Sequence, residues 1–355
     1  MEPLDIFASP RQVRQWRQDR EKRLTTERSA GAAYSSHCCN RKERQAGSSL
    51  GKLYALLLLL TLLLHLPGVA QTSQQKSSVY KSLSPATDHY KYIGATDATP
   101  TGEHLDSISF PAKDFRRGAY LKLRTVYLDV PVKTFKIKPY PANSSAQTRA
   151  ELDFLLDLQQ KRTATDIART DTMAVVYYDP FTVNLLDPDY SRNVNSLFYI
   201  GRPLGPWFNP EQLPVTKQVL QNVMQDATFY FFSLKAQFNR PRPYHIEPHL
   251  HNLEAPGHAS YPSGHSSASY VHAYLLSHVL PAYKEQFLSN AYDMAFSREI
   301  RGVHYPSDSE AGKEFAAQFV AQLMKRKKFK ADYLAMEAEI NKAMNEYKIT
   351  STKTF

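Results

Sequence analysis

Apolar residues recur along most of the chain at intervals of three and four, the spacing that gathers them on one face of a helix. The clearest run is Val215–Leu234, where Val219, Leu220, Val223, Met224, Ala227, Phe231 and Leu234 share one stripe behind Pro214. Proline suits a first helical turn because the N–H it lacks would have had no partner there. Further helices are predicted over Ser266–Leu280, stopped by Pro281, and over Glu285–Arg298 and Asp308–Met324. An interrupted helical pattern covers Arg149–Arg169 through Leu152, Leu155, Leu156 and Ile167, and a polar helix is expected at Ala331–Tyr347. One stretch differs. Gly118–Lys138 alternates with β-branched and aromatic residues and predicts one or two strands, broken by Pro131. The expected fold class is all-α: a helical bundle with short loops and a small irregular or β-containing N-terminal extension.

Ahead of this pattern lies Leu53–Leu66, almost wholly apolar yet shorter than the about 20 residues that span a bilayer. It has the length of a secretory h-region, follows Arg41, Arg44 and Lys52, and precedes small residues at Gly68 and Ala70. Cleavage near Gln71 and export to the periplasm or medium are expected; an uncleaved anchor holding the domain on the periplasmic side is the alternative. The basic segment 1–52 is long for an n-region, which suits either a start further along or that anchor. Residues 71–144 then read as a polar linker with a short extended piece, 145–330 as the domain carrying the chemistry, and 331–355 as a C-terminal helix and tail.

Composition narrows the function classes. Of 355 residues 42% are hydrophobic and 22% charged, which excludes wholesale disorder. A mean hydropathy of -0.47 with a single long apolar run excludes a multi-span membrane protein. The net charge is +10, and residues 1–52 hold 11 basic against 6 acidic residues, half of the excess. The mild remaining bias suits an anionic substrate and lacks the clustered stripes of a nucleic-acid binder. Both cysteines, Cys38 and Cys39, precede the apolar run, so nothing after it can form a disulfide or use a thiol nucleophile.

Three segments concentrate polar chemistry. Lys235 is followed after six residues by Arg242-Pro243; Tyr261-Pro262-Ser263-Gly264-His265 runs from a turn into a helix; and Ser297-Arg298 is followed by His304 and Asp308, with Gly302 and Pro306 between two helices. Any one of these alone is ordinary: a surface cation, a turn, a structural histidine. Together they compose a phosphate pocket. Lys235, Arg242 and Arg298 bring positive charge, and guanidinium forks match phosphate oxygens in pairs. Ser263 offers a hydroxyl and Gly264 an unobstructed N–H at a helix N-terminus, where orphan amides favour anions. His304, held in one tautomer by Asp308, can attack phosphorus, and His265 can protonate the departing alkoxide.

The three segments resemble the signature of the type-2 phosphatidic acid phosphatase and vanadium haloperoxidase superfamily, and Ala259–His265 resembles its bacterial class A non-specific acid phosphatases. The resemblance covers roughly Ser145–Met324, including Leu155–Thr163 and Asp226. It implies a helical bundle of that superfamily's type, a phosphohistidine intermediate at His304 and no metal requirement. By the family pattern Lys235, Arg242, Ser263, Gly264 and Arg298 bind phosphate, His265 is the acid and Asp308 orients His304. Ala259 stands where the family often has glycine, and Gly118–Lys138 lies outside the resemblance.

The reading is an acid phosphatase acting on a broad range of small phosphomonoesters, its acidic optimum following from the need for a protonated His265 (an imidazole titrates near ~6.5). The runner-up is a vanadium haloperoxidase, with vanadate as cofactor in the same pocket; its usual longer insertions are missing between Arg242 and Ser263. A lipid phosphatase would carry several membrane helices, and a binding protein with a retired site would have lost signature residues. His245, His249, His251 and His258 are expected to line the pocket mouth, with a metal site the lesser reading. Asn143-Ser-Ser is read as an incidental glycosylation match. No nucleic-acid partner is expected; a homo-oligomer stays open, with the Ala331–Tyr347 helix as the surface offered to it.

Overall fold

The computed structural model describes residues 78–80, 99–177 and 185–352. The helices are α1 (Ala146–Lys161), α2 (Ala164–Ala174), α3 (Tyr190–Ser196), α4 (Pro214–Phe238), α5 (Pro243–Ile246), α6 (Gly264–Val279), α7 (Lys284–Ile300), α8 (Pro306–Leu323) and α9 (Lys327–Thr352). There is no strand among the described residues, so the all-α expectation is met, and of the two forms expected for the N-terminal extension it takes the irregular one.

The bundle is arranged around α6, which packs most extensively against α7 and α8 and also touches α4. It is apolar or small all round, with Ala268, Val271, Ala273, Leu275 and Leu276 fully buried, the pattern of a central rather than a surface helix. Its first turn is lined with serines that use their hydroxyls locally: Ser266 Oγ donates to the Ser309 carbonyl at 2.6 Å and Ser267 Oγ to that of Ser263 at 2.8 Å. Helix α8 approaches this turn so closely that a Cβ on Gly312 would lie 2.8 Å from the Ser263 carbonyl oxygen and 2.8 Å from Ser266 Cβ. Glycine at 312 therefore sets the distance between the two helix N-termini on which the chemistry rests.

Gly118–Lys138 departs from the strand expectation. It forms 3-10 turns at Gly118–Lys122 and Val132–Thr134 and lies as a strap along α4. The carboxylate of Asp226, fully buried on α4, accepts the successive N–H groups of Val126, Tyr127 and Leu128, the latter two at 2.8 Å. The backbone donors that a neighbouring strand would have taken are thus taken by one side chain. Alternation survives only as burial: Phe135 reaches the rings of Tyr230 and Phe315, with centroids 4.8 and 5.1 Å apart.

Helix α9 is also less polar in context than in sequence. Phe329, Met336 and Ile340 are fully buried in the main core, and Glu339 accepts from the N–H groups of Val215 and Thr216 at 3.0 and 2.7 Å, closing the N-terminus of α4. Its apolar face is consumed within the chain. One core, running from Tyr120 to Met344, crosses both expected limits of the 145–330 domain. Val79, expected in a linker, is buried against Leu155, Leu158 and Phe296. Asn143 is buried and donates through Nδ2 to the carbonyls of Leu105 and Ile108, both at 2.9 Å, which leaves no amide for a glycan. Among the described residues no helix is long and apolar enough to cross a membrane; Leu53–Leu66 lies outside them.

Candidate active site

Four helix ends meet at one place. Helix α4 stops at Asn239, whose left-handed backbone (φ 48°) turns the chain into Arg240–Pro243. Lys235, in the last turn of α4, is fully buried and donates to the carbonyls of Ala259, Ser260 and Pro262 at 3.1, 2.9 and 2.6 Å. Three acceptors take all three ammonium protons. Burial, and then the Arg242 and Arg298 guanidiniums, press its pKa well below the ordinary lysine value. Lys235 thus clamps the Ala259–Pro262 loop and brings charge beneath it, rather than offering a free N–H.

That loop delivers Ser263, the N-cap of α6, whose hydroxyl accepts from Ser266 N at 3.4 Å and whose own N–H donates to the Asp308 carbonyl at 2.9 Å. Gly264 follows; a Cβ there would press on Phe231 at 3.3 Å and meet Lys235 Cε at 3.7 Å. His265 comes next, its Nε2 buried and without a hydrogen-bond partner. Its pKa is held well below 6.5 by burial, then by Arg298 and Lys235, against opposing backbone contacts at Ala174 and Val176.

From the other side, α7 ends with Arg298, and Gly302, at a φ of 68° that favours glycine, turns the chain toward α8. Arg298 forms an ion pair with Glu254 through one terminal nitrogen, while its Nε and its other terminal nitrogen are buried and unpartnered. Asp308, in the first turn of α8, accepts the Tyr305 N–H at 3.1 Å and the His304 Nδ1–H at 2.9 Å through the same oxygen. Arg242 donates to His304 Nε2 at 3.0 Å and to the Val303 carbonyl at 2.7 Å. A guanidinium can only donate, so Nε2 carries the lone pair and the proton sits on Nδ1, facing Asp308. Burial, then the charges of Arg242, Lys235, Arg298 and His265, hold His304 well below the usual imidazole pKa. A buried, neutral imidazole whose Nε2 lone pair is held by one guanidinium is chemically able to act as a nucleophile once that donor gives way.

All the expected site residues converge here: Lys235, Arg242, Ser263, Gly264, His265, Arg298, His304 and Asp308. Sequence reasoning left out several that join them. Arg240 is fully buried and donates to Asp308 Oδ1 at 2.7 Å; Ser260 donates its hydroxyl to the other Asp308 oxygen; Glu254 pairs with Arg298 and, at 3.3 Å, with Arg301. His258, expected to line the pocket mouth, accepts from Arg242 at 2.8 Å through Nδ1. Of the other loop histidines, His245 accepts the Arg242 N–H through Nδ1 at 3.3 Å and packs against Phe110, His249 bonds Glu247, and His251 is exposed. Among the described residues no three His, Cys, Asp or Glu side chains are grouped to hold a metal ion.

Residues 219–330, which hold these segments, match the PAP2 superfamily. Relatives of the domain include the non-specific acid phosphatase of Salmonella typhi, 29% identical over 166 residues, which are 44% of this chain and 66% of that protein. The non-specific acid phosphatase of Providencia stuartii is 28% identical over 142 residues, 38% of this chain and 54% of that one. A lipid A 1-phosphatase of Rhizobium johnstonii is 35% identical over 91 residues, 24% of this chain and 37% of that one. The match thus spans no more than 66% of the length of any of these relatives. Among solved structures, a bacterial vanadium-dependent iodoperoxidase is 19% identical with a TM-score of 0.47, over 67% of this chain and 64% of that one.

Proposed function

We propose that this PAP2 domain is an acid phosphatase that hydrolyses a broad range of small phosphomonoesters through a phosphohistidine at His304. The observation that carries the reading is a set of orphans beside a nucleophile. Arg298 Nε, one Arg298 terminal nitrogen and His265 Nε2 are buried without partners, and each such group costs about 1–3 kcal/mol unless satisfied. His265 and Arg298 both act electrostatically on His304, whose Nε2 carries a lone pair. A phosphoryl group supplies acceptor oxygens for the arginine donors and an ester oxygen for His265.

In the first step Arg242 yields His304 Nε2 to phosphorus. The N–P bond forms, the P–O ester bond breaks, and the departing oxygen takes the proton from His265. In the second step water attacks phosphorus, gives its proton to His265, and the N–P bond breaks to release phosphate. Asp308 balances the positive charge of the phosphorylated imidazole. The dianion offsets the cations that depress His265, so that histidine takes up its proton together with substrate. Support for the activity comes from this charge arrangement and from the names of the relatives. Export through Leu53–Leu66 belongs to the same reading and is checked by sequencing the N-terminus of the mature protein. His304→Ala tests the nucleophile: turnover of p-nitrophenyl phosphate is lost with the fold intact, and retention of more than about a hundredth of the activity refutes the assignment, since removing a nucleophile ordinarily costs far more.

A further inference from the structure

Behind the histidine lies a second layer of fully buried charge that the proposed chemistry leaves without a role. Arg240, Glu151 and Asp308 are each shut off from solvent. Arg240 donates to Asp308 Oδ1 at 2.7 Å and to the Ser307 hydroxyl at 2.8 Å through one terminal nitrogen, and to Glu151 at 3.3 Å through the other. Glu151 in turn accepts from Ser307 N at 3.0 Å and from its hydroxyl at 2.8 Å. The guanidinium carbon sits 3.7 Å from the centre of the Tyr305 ring and 5.0 Å from that of Tyr140. Planar stacking and forked donation together leave Arg240 one orientation. A core helix gains nothing from so many buried charges, since apolar residues of the same volume usually stabilise as well.

We infer that Arg240 is a positioning residue for the reaction: by holding Oδ1 of Asp308 it keeps Oδ2 on Nδ1 of His304, and with it the tautomer that leaves Nε2 free. The carboxylate has two faces. Arg240 takes one; His304 Nδ1, the Ser260 hydroxyl and Tyr305 N share the other. Without Arg240 one carboxylate oxygen loses its partner, the donors on Oδ2 alone hold the group less firmly, and the bond that aims the His304 ring through Nδ1 loosens. The nearest competing cations, Arg242 and Lys235, are committed to His304, His258 and the Ala259–Pro262 carbonyls, so neither replaces it. Glu151 compensates Arg240 rather than acting on the histidine, because every contact between the two passes through Arg240 or Ser307.

The inference rests on His304 as nucleophile, so wild type and His304→Ala are assayed alongside. If His304→Ala stays active, it is that assignment which fails; if it is dead, the Arg240 variants speak to this inference alone. Removing Arg240 by itself strands Glu151, so the informative variant is the pair Arg240→Met with Glu151→Gln, which deletes a balanced charge pair. The expected result is a folded protein whose kcat for p-nitrophenyl phosphate falls about 10²-fold, the usual penalty of slight misplacement, while KM changes less than about threefold because the phosphate donors are untouched. The His304 imidazole, followed by nitrogen-detected NMR, titrates at higher pH than in wild type, since the carboxylate beside it has lost its neutralising cation. That titration faces Asp308, Arg242, Lys235, Arg298 and His265, and all five remain in the variant. Wild-type kcat with an unmoved titration in the folded pair variant overturns the inference. Should the pair not fold, Arg240→Lys decides: a point charge meets only one carboxylate, so kcat falls about tenfold with KM kept, and full activity overturns the inference equally.

Discussion

Replacing Asp308 with asparagine removes one charge and one acceptor without changing shape. Asp308 receives donors only: the Arg240 guanidinium at 2.7 Å on Oδ1, and His304 Nδ1 at 2.9 Å, Tyr305 N at 3.1 Å and the Ser260 hydroxyl on Oδ2. An amide has one accepting oxygen and one donating nitrogen, so it cannot meet both faces. With its nitrogen toward His304, Nδ1 must accept, the proton moves to Nε2, and the attacking lone pair is gone. With its nitrogen toward Arg240, two donors collide in full burial, and the phosphorylated imidazole has no carboxylate to balance its charge. Either way kcat is expected to fall ~10³–10⁴-fold, about 4–5.5 kcal/mol in the barrier, the scale seen when a carboxylate that orients a catalytic histidine becomes an amide. KM for p-nitrophenyl phosphate should hold within about threefold, because Arg242 and Arg298 remain. Steady-state kinetics with thermal unfolding as a control measure both quantities. An Asp308→Asn protein that keeps more than about a tenth of wild-type kcat refutes the idea that this carboxylate fixes the tautomer.

Activity should also be confined to acid. The His265 pKa lies below its ordinary ~6.5 in the free protein, so the acid form is lost as pH rises through the depressed value, and kcat/KM should already be declining at pH ~6.5. His304, depressed too, stays neutral until strongly acidic pH, which sets the opposite limb; a kcat/KM profile flat from pH 5 to 8 would exclude His265 as the acid. Gly312→Ala should weaken fold and chemistry together. The added Cβ would stand 2.8 Å from the Ser263 carbonyl oxygen, overpacking that costs about 1–3 kcal/mol, read as a lower urea midpoint together with a reduced kcat; an unchanged midpoint contradicts the close approach of α8 to α6.

Local signals were legible in the sequence and distant ones were not. The period of Val219 to Leu234 located α4, and Pro214 began it, because a buried stripe must repeat at the helical pitch. The signature residues were legible for a similar reason: each segment is a helix end, so Lys235 and Arg242, or His304 and Asp308, are neighbours in chain and in space. The alternation in Gly118–Lys138 misled because half-buried irregular backbone and strand bury residues alike; what separates them is whether a ladder or a side chain takes the N–H groups, and Asp226 lies 98 residues from Leu128. Ala331–Tyr347 looked polar because its few buried residues, Tyr333, Met336, Ile340 and Met344, stand among charged ones, while the buried Phe329 sits just outside the expected helix. Glu151 gave no signal, being 89 residues from Arg240 and one acid among many.

The most direct measurement is to capture the covalent state itself. Protein mixed with a phosphomonoester, quenched in alkali within one turnover and examined by peptide mass spectrometry and phosphorus NMR should carry one acid-labile phosphoryl group on His304, absent from His304→Ala. Full turnover with no phosphorylated histidine at any quench time, or with the label on another residue, would contradict the account.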